Sequence, residues 1–229
     1  MNSHKRKARI AGLFYLLVAI FGGFAFFVRT NLFVTDDAAA TVKNIINSDL
    51  LFRAGIVSDL LGQIFGIFLV IALYSLLKTV NKNLSIIMVV LLIVPVPITC
   101  LNSLNQIAVL LLINSPDFAK VFNPDQLQTQ IMFFMNLNDY GIFIAQIFWG
   151  LWLFPLGYLI FKSNFIPKVI GILLIIAGSG YLIDSLGYLL SANYNLTIAS
   201  FTFIGELVLI FWLLIKGTRE HQPVVIKVN

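Results

Sequence analysis

Long apolar runs separated by short polar segments dominate the pattern of this chain. A helix that crosses the hydrocarbon core of a bilayer needs about 20 mostly apolar residues, because each residue adds about 1.5 Å of rise. Six runs are long enough, at residues 10–28, 50–77, 84–113, 131–161, 169–190 and 196–215. The pattern therefore predicts an all-α fold, a polytopic transmembrane helical bundle of six spans that forms a single integral membrane domain over residues 1–229.

Polar segments between and after these runs predict two further features. Residues 36–48 begin with two aspartates, either of which can cap a short helix that we expect on the extracytoplasmic side, and residues 218–229 form a polar tail. Pro95 and Pro97 fall inside the third run. Because each proline removes a backbone hydrogen-bond donor, we expect a kink in that span.

Composition supports a lipid environment for the whole chain. Hydrophobic residues make up 59% of the 229 residues and charged residues only 11%, whereas soluble domains carry roughly 25% charged residues. The lipid bilayer is therefore the expected partner of the apolar surface. The net charge of +5 does not indicate nucleic acid, because the basic residues lie at the ends of apolar runs rather than on one polar face.

The distribution of lysine and arginine predicts the orientation of the chain, because these residues are retained on the cytoplasmic side of short loops. With the N-terminus inside, eleven basic residues are cytoplasmic: Lys5, Arg6, Lys7, Arg9, Lys78, Lys82, Lys162, Lys168, Lys216, Arg219 and Lys227. The four that fall outside are Arg29, Lys43, Arg53 and Lys120. We therefore expect both the N-terminus and the C-terminus in the cytoplasm.

The cysteine and histidine content argues against several kinds of site. Cys100 is the one cysteine, so neither an internal disulfide nor a multi-thiolate metal site can form. His4 and His221 lie in the polar ends of the chain, which leaves no imidazole pair for zinc or haem within the membrane. We expect no metal and no cofactor, and the short loops leave no room for a soluble catalytic domain.

Four carboxylates fall inside the predicted spans, where an ionisable side chain is costly and indicates function. They are Asp59, Asp139, Asp184 and Glu206. At about 1.5 Å per residue above the lysines of the cytoplasmic boundary, Glu206 lies near the midplane of the bilayer. The three aspartates lie in its outer half.

Further polar residues fall near these acids at helical spacing. They are Gln63 with Asp59, Gln146 with Asp139, Tyr188 with Asp184, Asn102 high on the third span, and Arg53 near the outer end of the second. Lipid is the least favourable environment for such polar stripes. We therefore expect them to face one another around a ligand-binding cavity that opens to the outside and narrows toward Glu206.

A purely structural interpretation of the polar and small residues stays open. Polar side chains within spans can bond to neighbouring helices and hold the bundle together without binding a ligand. Small residues let membrane helices approach closely. We accordingly interpret Gly62 with Gly66, and Gly171 with Gly178, as packing sites.

Several short sequences also carry a resemblance to a known family. They include Arg9-Ile-Ala-Gly-Leu-Phe-Tyr-Leu-Leu17, Phe52-Arg-Ala-Gly-Ile-Val-Ser-Asp-Leu-Leu61 and Gly180-Tyr-Leu-Ile-Asp-Ser185. From about residue 9 to residue 217, the chain resembles the bacterial family known as domain of unknown function 4386. The resemblance implies a multi-pass protein of the bacterial cytoplasmic (plasma) membrane and supports treating Arg53, Asp59, Asp184 and Glu206 as a set. It implies no activity.

Three functions fit these observations. The leading hypothesis is the binding or transport of a small cationic or protonatable solute through the outward-facing cavity. The alternative is a non-catalytic partner or assembly protein, which associates with itself or with another membrane protein. The third is an intramembrane enzyme that uses carboxylates alone, which is disfavoured because the sequence holds no compact acid pair and no nucleophile with an adjacent base.

Overall fold

Helices joined by short turns make up the computed structural model, which describes residues 3–35, 37–191 and 193–218. The helices are α1 (Ser3–Leu32), α2 (Ala38–Asn47), α3 (Asp49–Leu77), α4 (Lys82–Ile93), α5 (Pro95–Asn114), α6 (Pro116–Val121), α7 (Pro124–Leu151), α8 (Leu153–Ser163), α9 (Lys168–Leu190), α10 (Ala199–Thr202) and α11 (Ile204–Ile215). No strand occurs in the described residues. The predicted all-α fold is confirmed.

Within the described residues, five helical segments are long and apolar enough to cross a membrane, as expected of a polytopic bundle. They are His4–Leu32, Asp49–Leu77, Lys82–Asn114, Pro124–Ser163 and Lys168–Leu190, and the shorter apolar segment Ala199–Ile215 follows them. The count of six spans and the cytoplasmic placement of both termini stay predictions. Most of the predicted polar tail, residues 219–229, lies outside the described residues.

Three of these segments are rods with a break. The α4/α5 rod is interrupted at Val94, directly before Pro95, where the sequence predicts a kink because proline cannot donate a backbone hydrogen bond. The α7/α8 rod breaks at Trp152, three residues before Pro155, which cannot donate a backbone hydrogen bond to the preceding turn. The α10/α11 rod tightens at Phe203, whose carbonyl accepts from the backbone N–H of Glu206 at 2.9 Å.

The short helix α2 begins within the segment expected to form one. The side chain of Asp37 accepts a hydrogen bond from the backbone N–H of Ala40 at 2.8 Å and so caps the helix. Asp36, the other candidate cap, lies outside the described residues. Ile45 is fully buried and anchors α2 on the bundle.

The rods pack in chain order, and the last one returns to the first. Helix α1 packs along α3, α3 against α4 and α5, and these in turn against α7 and α8. The α7/α8 rod packs against α9, α9 against α11, and α11 against α1. We call this arrangement the ring, and we call the end that holds His4 and Thr218 its lower end.

Two glycine pairs bring the α7/α8 rod and α9 into backbone contact. A Cβ added at Gly171 would lie 2.5 Å from the carbonyl oxygen of Gly157, and one added at Gly178 would lie 2.7 Å from that of Gly150. Any larger side chain would have to separate the two backbones. The packing interpretation of Gly171 and Gly178 is therefore confirmed.

Gly66 does not fit the interpretation as a packing site. It is buried within α3, yet a Cβ added there would meet no atom within 4 Å, whereas one at Gly62 would lie 3.6 Å from the backbone nitrogen of Gly22. The prediction of a packing site holds for Gly62 and is wrong for Gly66. No neighbouring atom fills the space beside Gly66.

Two separate apolar clusters hold the ends of the ring. The lower cluster includes Ala11, Tyr15, Leu69, Leu73, Leu76, Met88, Trp152, Leu156, Ile160, Leu174, Leu209 and Leu213. The upper cluster consists of Val28, Leu32, Ile45, Phe52, Ile56, Val109, Leu110, Leu112, Ile131 and Met135. These side chains, which include Ile45 of α2, are buried against one another and fill the upper end of the bundle. The sequence predicted a wide polar opening at this end.

Candidate functional site

A polar layer lies between the upper and lower clusters. On α3 it follows Ile56 and ends before Leu69, and on α7 it follows Met135 and ends before Trp152. Its members are Asp59 and Gln63 on α3, Asn102, Asn105 and Gln106 on α5, Asn138, Asp139 and Gln146 on α7, and the guanidinium of Arg29 on α1. The polar stripes predicted from sequence therefore meet inside the bundle, with apolar packing on both sides.

An ion pair across the ring is the main feature of this layer. Arg29 Nε lies 3.7 Å from Asp139 Oδ1, and each side chain is 21% exposed. Arg29 also interacts electrostatically with Asp59, whose Oδ1 accepts a hydrogen bond from Gln63 Nε2 at 3.4 Å. One guanidinium is therefore paired with Asp139 and lies within electrostatic range of Asp59 on a different helix.

Arg53 does not take the role in this group that the sequence suggested. Its Nε lies 2.7 Å from Oδ2 of Asp49, one turn earlier on α3, and the two side chains are 47% and 42% exposed. Arg53 is thus satisfied on its own helix surface. The cation near the acids is Arg29, which sequence reasoning assigned only to the outer boundary of the first span.

Asn102 links two rods. Its Nδ2 donates to the backbone carbonyl of Asn138 at 2.8 Å, and Gln106 Nε2 donates to Asn138 Oδ1 at 3.2 Å. Helix α7 can approach this closely because residue 141 is glycine, where a Cβ would overlap the Asn102 amide. These contacts fit the structural interpretation of Asn102, an amide that joins α5 to α7.

Asp184 holds the start of the last rod. It is 4% exposed, and its carboxylate accepts from the backbone N–H of Ile198 at 3.0 Å and of Ala199 at 2.7 Å. Its third donor is the hydroxyl of Tyr194, at 2.6 Å. This hydrogen bond raises the pKa of Tyr194, in the loop after α9, to about 12. Asp184 therefore caps a neighbouring helix with three hydrogen bonds from the segment 194–199.

Glu206 forms a second polar group at the border of the lower cluster. Its Oε2 accepts from the hydroxyl of Tyr15 at 2.5 Å, and its Oε1 accepts from the hydroxyl of Tyr181 at 2.8 Å. The Tyr15 ring lies 5.9 Å from that of Trp152, and Gln146 Nε2 donates to the backbone carbonyl of Tyr181 at 3.3 Å. Glu206 thereby joins α1, α9 and α11, and sequence reasoning did not assign Tyr15 to it.

Tyr188 lies beside the ion pair. Its ring stacks on Phe143 with centroids 3.9 Å apart and lies 5.2 Å from the ring of Tyr140. It also interacts electrostatically with Asp139. Of the predicted site residues, Asp59, Asp139, Gln63, Gln146, Asn102 and Tyr188 therefore lie in or beside the polar layer, Glu206 lies at the border of the lower cluster, and Asp184 and Arg53 are bonded elsewhere.

Open volume near these groups is small. A crevice of about 10 Å³ lies beside Arg29 and is lined by Ala25, Val28, Phe52, Gly55 and Gln106, which is close to the space one water requires. A larger surface groove of about 320 Å³ lies at the start of α7 and involves none of the four acids. Within the described residues, no three His, Cys, Asp or Glu side chains are placed to hold a metal ion.

Long apolar helices around a buried polar layer are typical of polytopic membrane proteins. The chain belongs to the family described as domain of unknown function (DUF4386), whose profile matches residues 10–217. An uncharacterized protein from Archaeoglobus fulgidus is 35% identical over 171 residues, which cover 71% of this chain and 88% of that relative. No solved structure matches the chain. The resemblance noted in the sequence is confirmed.

Proposed function

We propose that the protein binds a small cationic or protonatable solute within the polar layer, as a membrane protein of the bacterial cytoplasmic membrane. The observation that carries this proposal is the Arg29–Asp139 ion pair, which crosses the ring with Asp59 close by. The six-span topology with both termini in the cytoplasm belongs to the same proposal.

Charge favours a cation over an anion. Two carboxylates face a single guanidinium, so the group carries a formal charge of −1 when both acids are ionised. A carboxylate inside a bilayer is costly unless it is paired. A proton, an ammonium group or another small cation beside Asp59 would supply the missing charge.

Two glycines below the ion pair leave room beside their helices. Gly66 follows Asp59 by seven residues, about 10 Å along α3, and a Cβ added there would meet no atom within 4 Å. The same holds for Gly22 on α1. We infer that a small cation beside Asp59 is accommodated next to these glycines, while the Glu206 group lies farther down, at the border of the lower cluster.

Access requires movement of the upper cluster. Val28, Phe52 and Met135 are buried above the layer, so this conformation corresponds to a closed state of the proposed site. Breaking the Arg29–Asp139 pair would release α1 from α7. A solute that replaces Arg29 as the partner of Asp139 would favour the open state, because a ligand shifts a conformational equilibrium only through differential affinity.

A binding experiment on the purified full chain tests the proposal. Methylammonium, choline and putrescine are added to protein in vesicles, and the midpoint of thermal unfolding is measured for the wild type, Asp59→Asn, Asp139→Asn and the control Asp49→Asn. We expect at least one of these cations to raise the wild-type midpoint. The two layer variants should bind at least tenfold more weakly, while Asp49→Asn, which changes an exposed carboxylate, should not.

Two results would contradict solute binding. One is a wild-type protein that none of the three cations stabilises, and the other is an equal response of Asp139→Asn. Uptake of the stabilising cation into sealed vesicles, measured alongside, separates binding alone from transport.

A second candidate function rests on the interhelical bonds of Asp184 and Asn102. Because these residues hold helices together, the protein would instead be a non-catalytic membrane partner or assembly protein, alone or as a homo-oligomer. Crosslinking in native membranes followed by size analysis tests this candidate. A chain that stays monomeric and recovers no partner would count against it.

A further inference from the structure

Basic residues gather at the lower end of the ring. They are Lys5, Arg6, Lys7 and Arg9 on α1, Lys78 directly after α3, Lys82 at the start of α4, Lys162 at the end of α8, Lys168 at the start of α9, and Lys216 directly after α11. The described acid nearest to this end along α11 is Glu206, ten residues or about 15 Å before Lys216. We call these nine residues the basic collar.

Contacts between chain segments bring the collar together. The side chain of Lys5 packs beside Gly217, where an added Cβ would lie 3.0 Å from Lys5 Cγ. The ring of His4 lies 6.4 Å from that of Phe165 in the turn between α8 and α9. The start of α1, the end of α11 and the α8–α9 turn therefore share one rim of the bundle.

Three collar lysines lie over aromatic rings. Nζ of Lys78 is 5.7 Å from the ring centroid of Tyr74, Nζ of Lys162 is 5.7 Å from that of Tyr158, and Nζ of Lys168 is 5.4 Å from that of Phe161. Lysines of this kind keep their ammonium groups at the level where amphipathic rings meet lipid headgroups. The ammonium groups of these lysines can therefore contact lipid headgroups at the side of the bundle.

An apolar surface continues from the α8–α9 part of the collar. Tyr158, Val169 and Ile172 are 47%, 64% and 46% exposed, and the glycine contact between Gly157 and Gly171 joins their helices. A headgroup beside Lys162 and Lys168 would have its acyl chains against these side chains. The same surface therefore provides cations for a lipid headgroup and apolar side chains for its acyl chains.

We propose that the basic collar binds anionic lipids, with the phosphate of the headgroup at Lys162 and Lys168 and the acyl chains against α8 and α9. Charge complementarity favours this occupant, because the described part of the rim supplies cations without a carboxylate among them. The lipid site is separate from the polar layer and does not depend on the proposed solute.

Lipid binding to the full-length chain tests the proposal. Purified protein is mixed with phosphatidylglycerol or phosphatidylcholine, and bound lipid is counted by native mass spectrometry for the wild type and for Lys162→Gln/Lys168→Gln. The double variant Lys43→Gln/Lys120→Gln makes the same change of charge at the opposite end and serves as the control.

We expect phosphatidylglycerol to bind the wild type and the control at least tenfold more tightly than phosphatidylcholine, and raised salt to weaken that preference. The Lys162→Gln/Lys168→Gln protein should lose the preference, and Lys162→Arg/Lys168→Arg should keep it. Equal binding of the two lipids to the wild type would overturn the proposal. An equal loss of the lipid preference in the Lys43→Gln/Lys120→Gln control would also overturn it. Full displacement of phosphatidylglycerol by millimolar inorganic phosphate would overturn it too, because it would identify a soluble anion as the occupant.

Discussion

Arg29 and Asp139 form an ion pair with 3.7 Å between Nε and Oδ1, although α1 and α7 are not adjacent in the ring. The pair therefore acts through its side chains alone, across the interior of the bundle. Neighbouring rods are held by packing along their length, whereas these two meet at one polar contact. If the proposed solute site opens, we expect this contact to break first.

Loss of the carboxylate at residue 139 should destabilise the protein. In Asp139→Asn the guanidinium of Arg29, 21% exposed, keeps its charge without its partner, and we expect a cost of about 1–3 kcal/mol. The reversed pair Arg29→Asp/Asp139→Arg should recover part of this loss. Unfolding in a fixed detergent gives both values, and a double variant that is no better than the sum of the single ones would exclude direct coupling.

The stabilisation by the tyrosine hydroxyls at Glu206 should depend on the carboxylate that they share. Tyr15→Phe removes one donor from a partly buried acid, and we expect a loss of about 1.5–3 kcal/mol, the usual range for hydrogen bonds to a charged group. In a Glu206→Gln background the effect should fall to about 1 kcal/mol or less, since the acceptor is then neutral. Tyr158→Phe, on the exposed surface of α8, is the control. An undiminished effect in the Glu206→Gln background would show that Tyr15 acts through packing only.

Two glycines should respond oppositely to the addition of side-chain atoms. Gly171→Val should prevent folding or cost more than about 3 kcal/mol, because its Cβ would lie 2.5 Å from the Gly157 carbonyl and backbone cannot yield cheaply. Gly66→Ala meets nothing within 4 Å and should be neutral or stabilise by up to about 1 kcal/mol. Expression and the unfolding midpoint report both. A stable Gly171→Val protein would contradict the close approach of α8 and α9.

The phenol of Tyr194 should lose its proton at a higher pH than the phenol of an exposed tyrosine. Its hydrogen bond to Asp184 raises its pKa to about 12, above the ordinary value of about 10, because the bond favours the protonated phenol. The stabilisation is therefore complete below pH 10 and is lost as pH rises toward 12. Carbon-13 labelling of the tyrosine rings follows the titration by NMR. Asp184→Asn should return the midpoint to about 10, and an unchanged midpoint in that variant would assign the shift to another cause.

Sequence periodicity predicted the polar stripes and the proline kink because both depend on residues close together in the chain. It could not predict which stripes meet. Arg53 and Arg29 both end apolar runs, and the difference between them is the nearby acid Asp49, which keeps Arg53 on the surface of α3. The pairing of Arg29 with Asp139 depends instead on how rods 110 residues apart in sequence are arranged.

The roles of the other acids were hidden for a similar reason. Asp184 was predicted inside a span, and its donors are Tyr194 and Ile198 in the loop after α9 and Ala199 at the start of α10. Glu206 was predicted near the midplane, and the hydroxyls of two tyrosines donate hydrogen bonds to it. The spacing of residues along one helix gives no information about hydroxyl donors on other helices.

The two glycine pairs between the α7/α8 rod and α9 have a mechanical consequence. At Gly150–Gly178 and Gly157–Gly171 the backbones of these rods lie in contact, so we expect the two rods to move together. On α1 and α3, a Cβ added at Gly22 or Gly66 would meet no atom within 4 Å. We therefore expect a change in the width of the bundle to be accommodated by α1 and α3 rather than between the α7/α8 rod and α9.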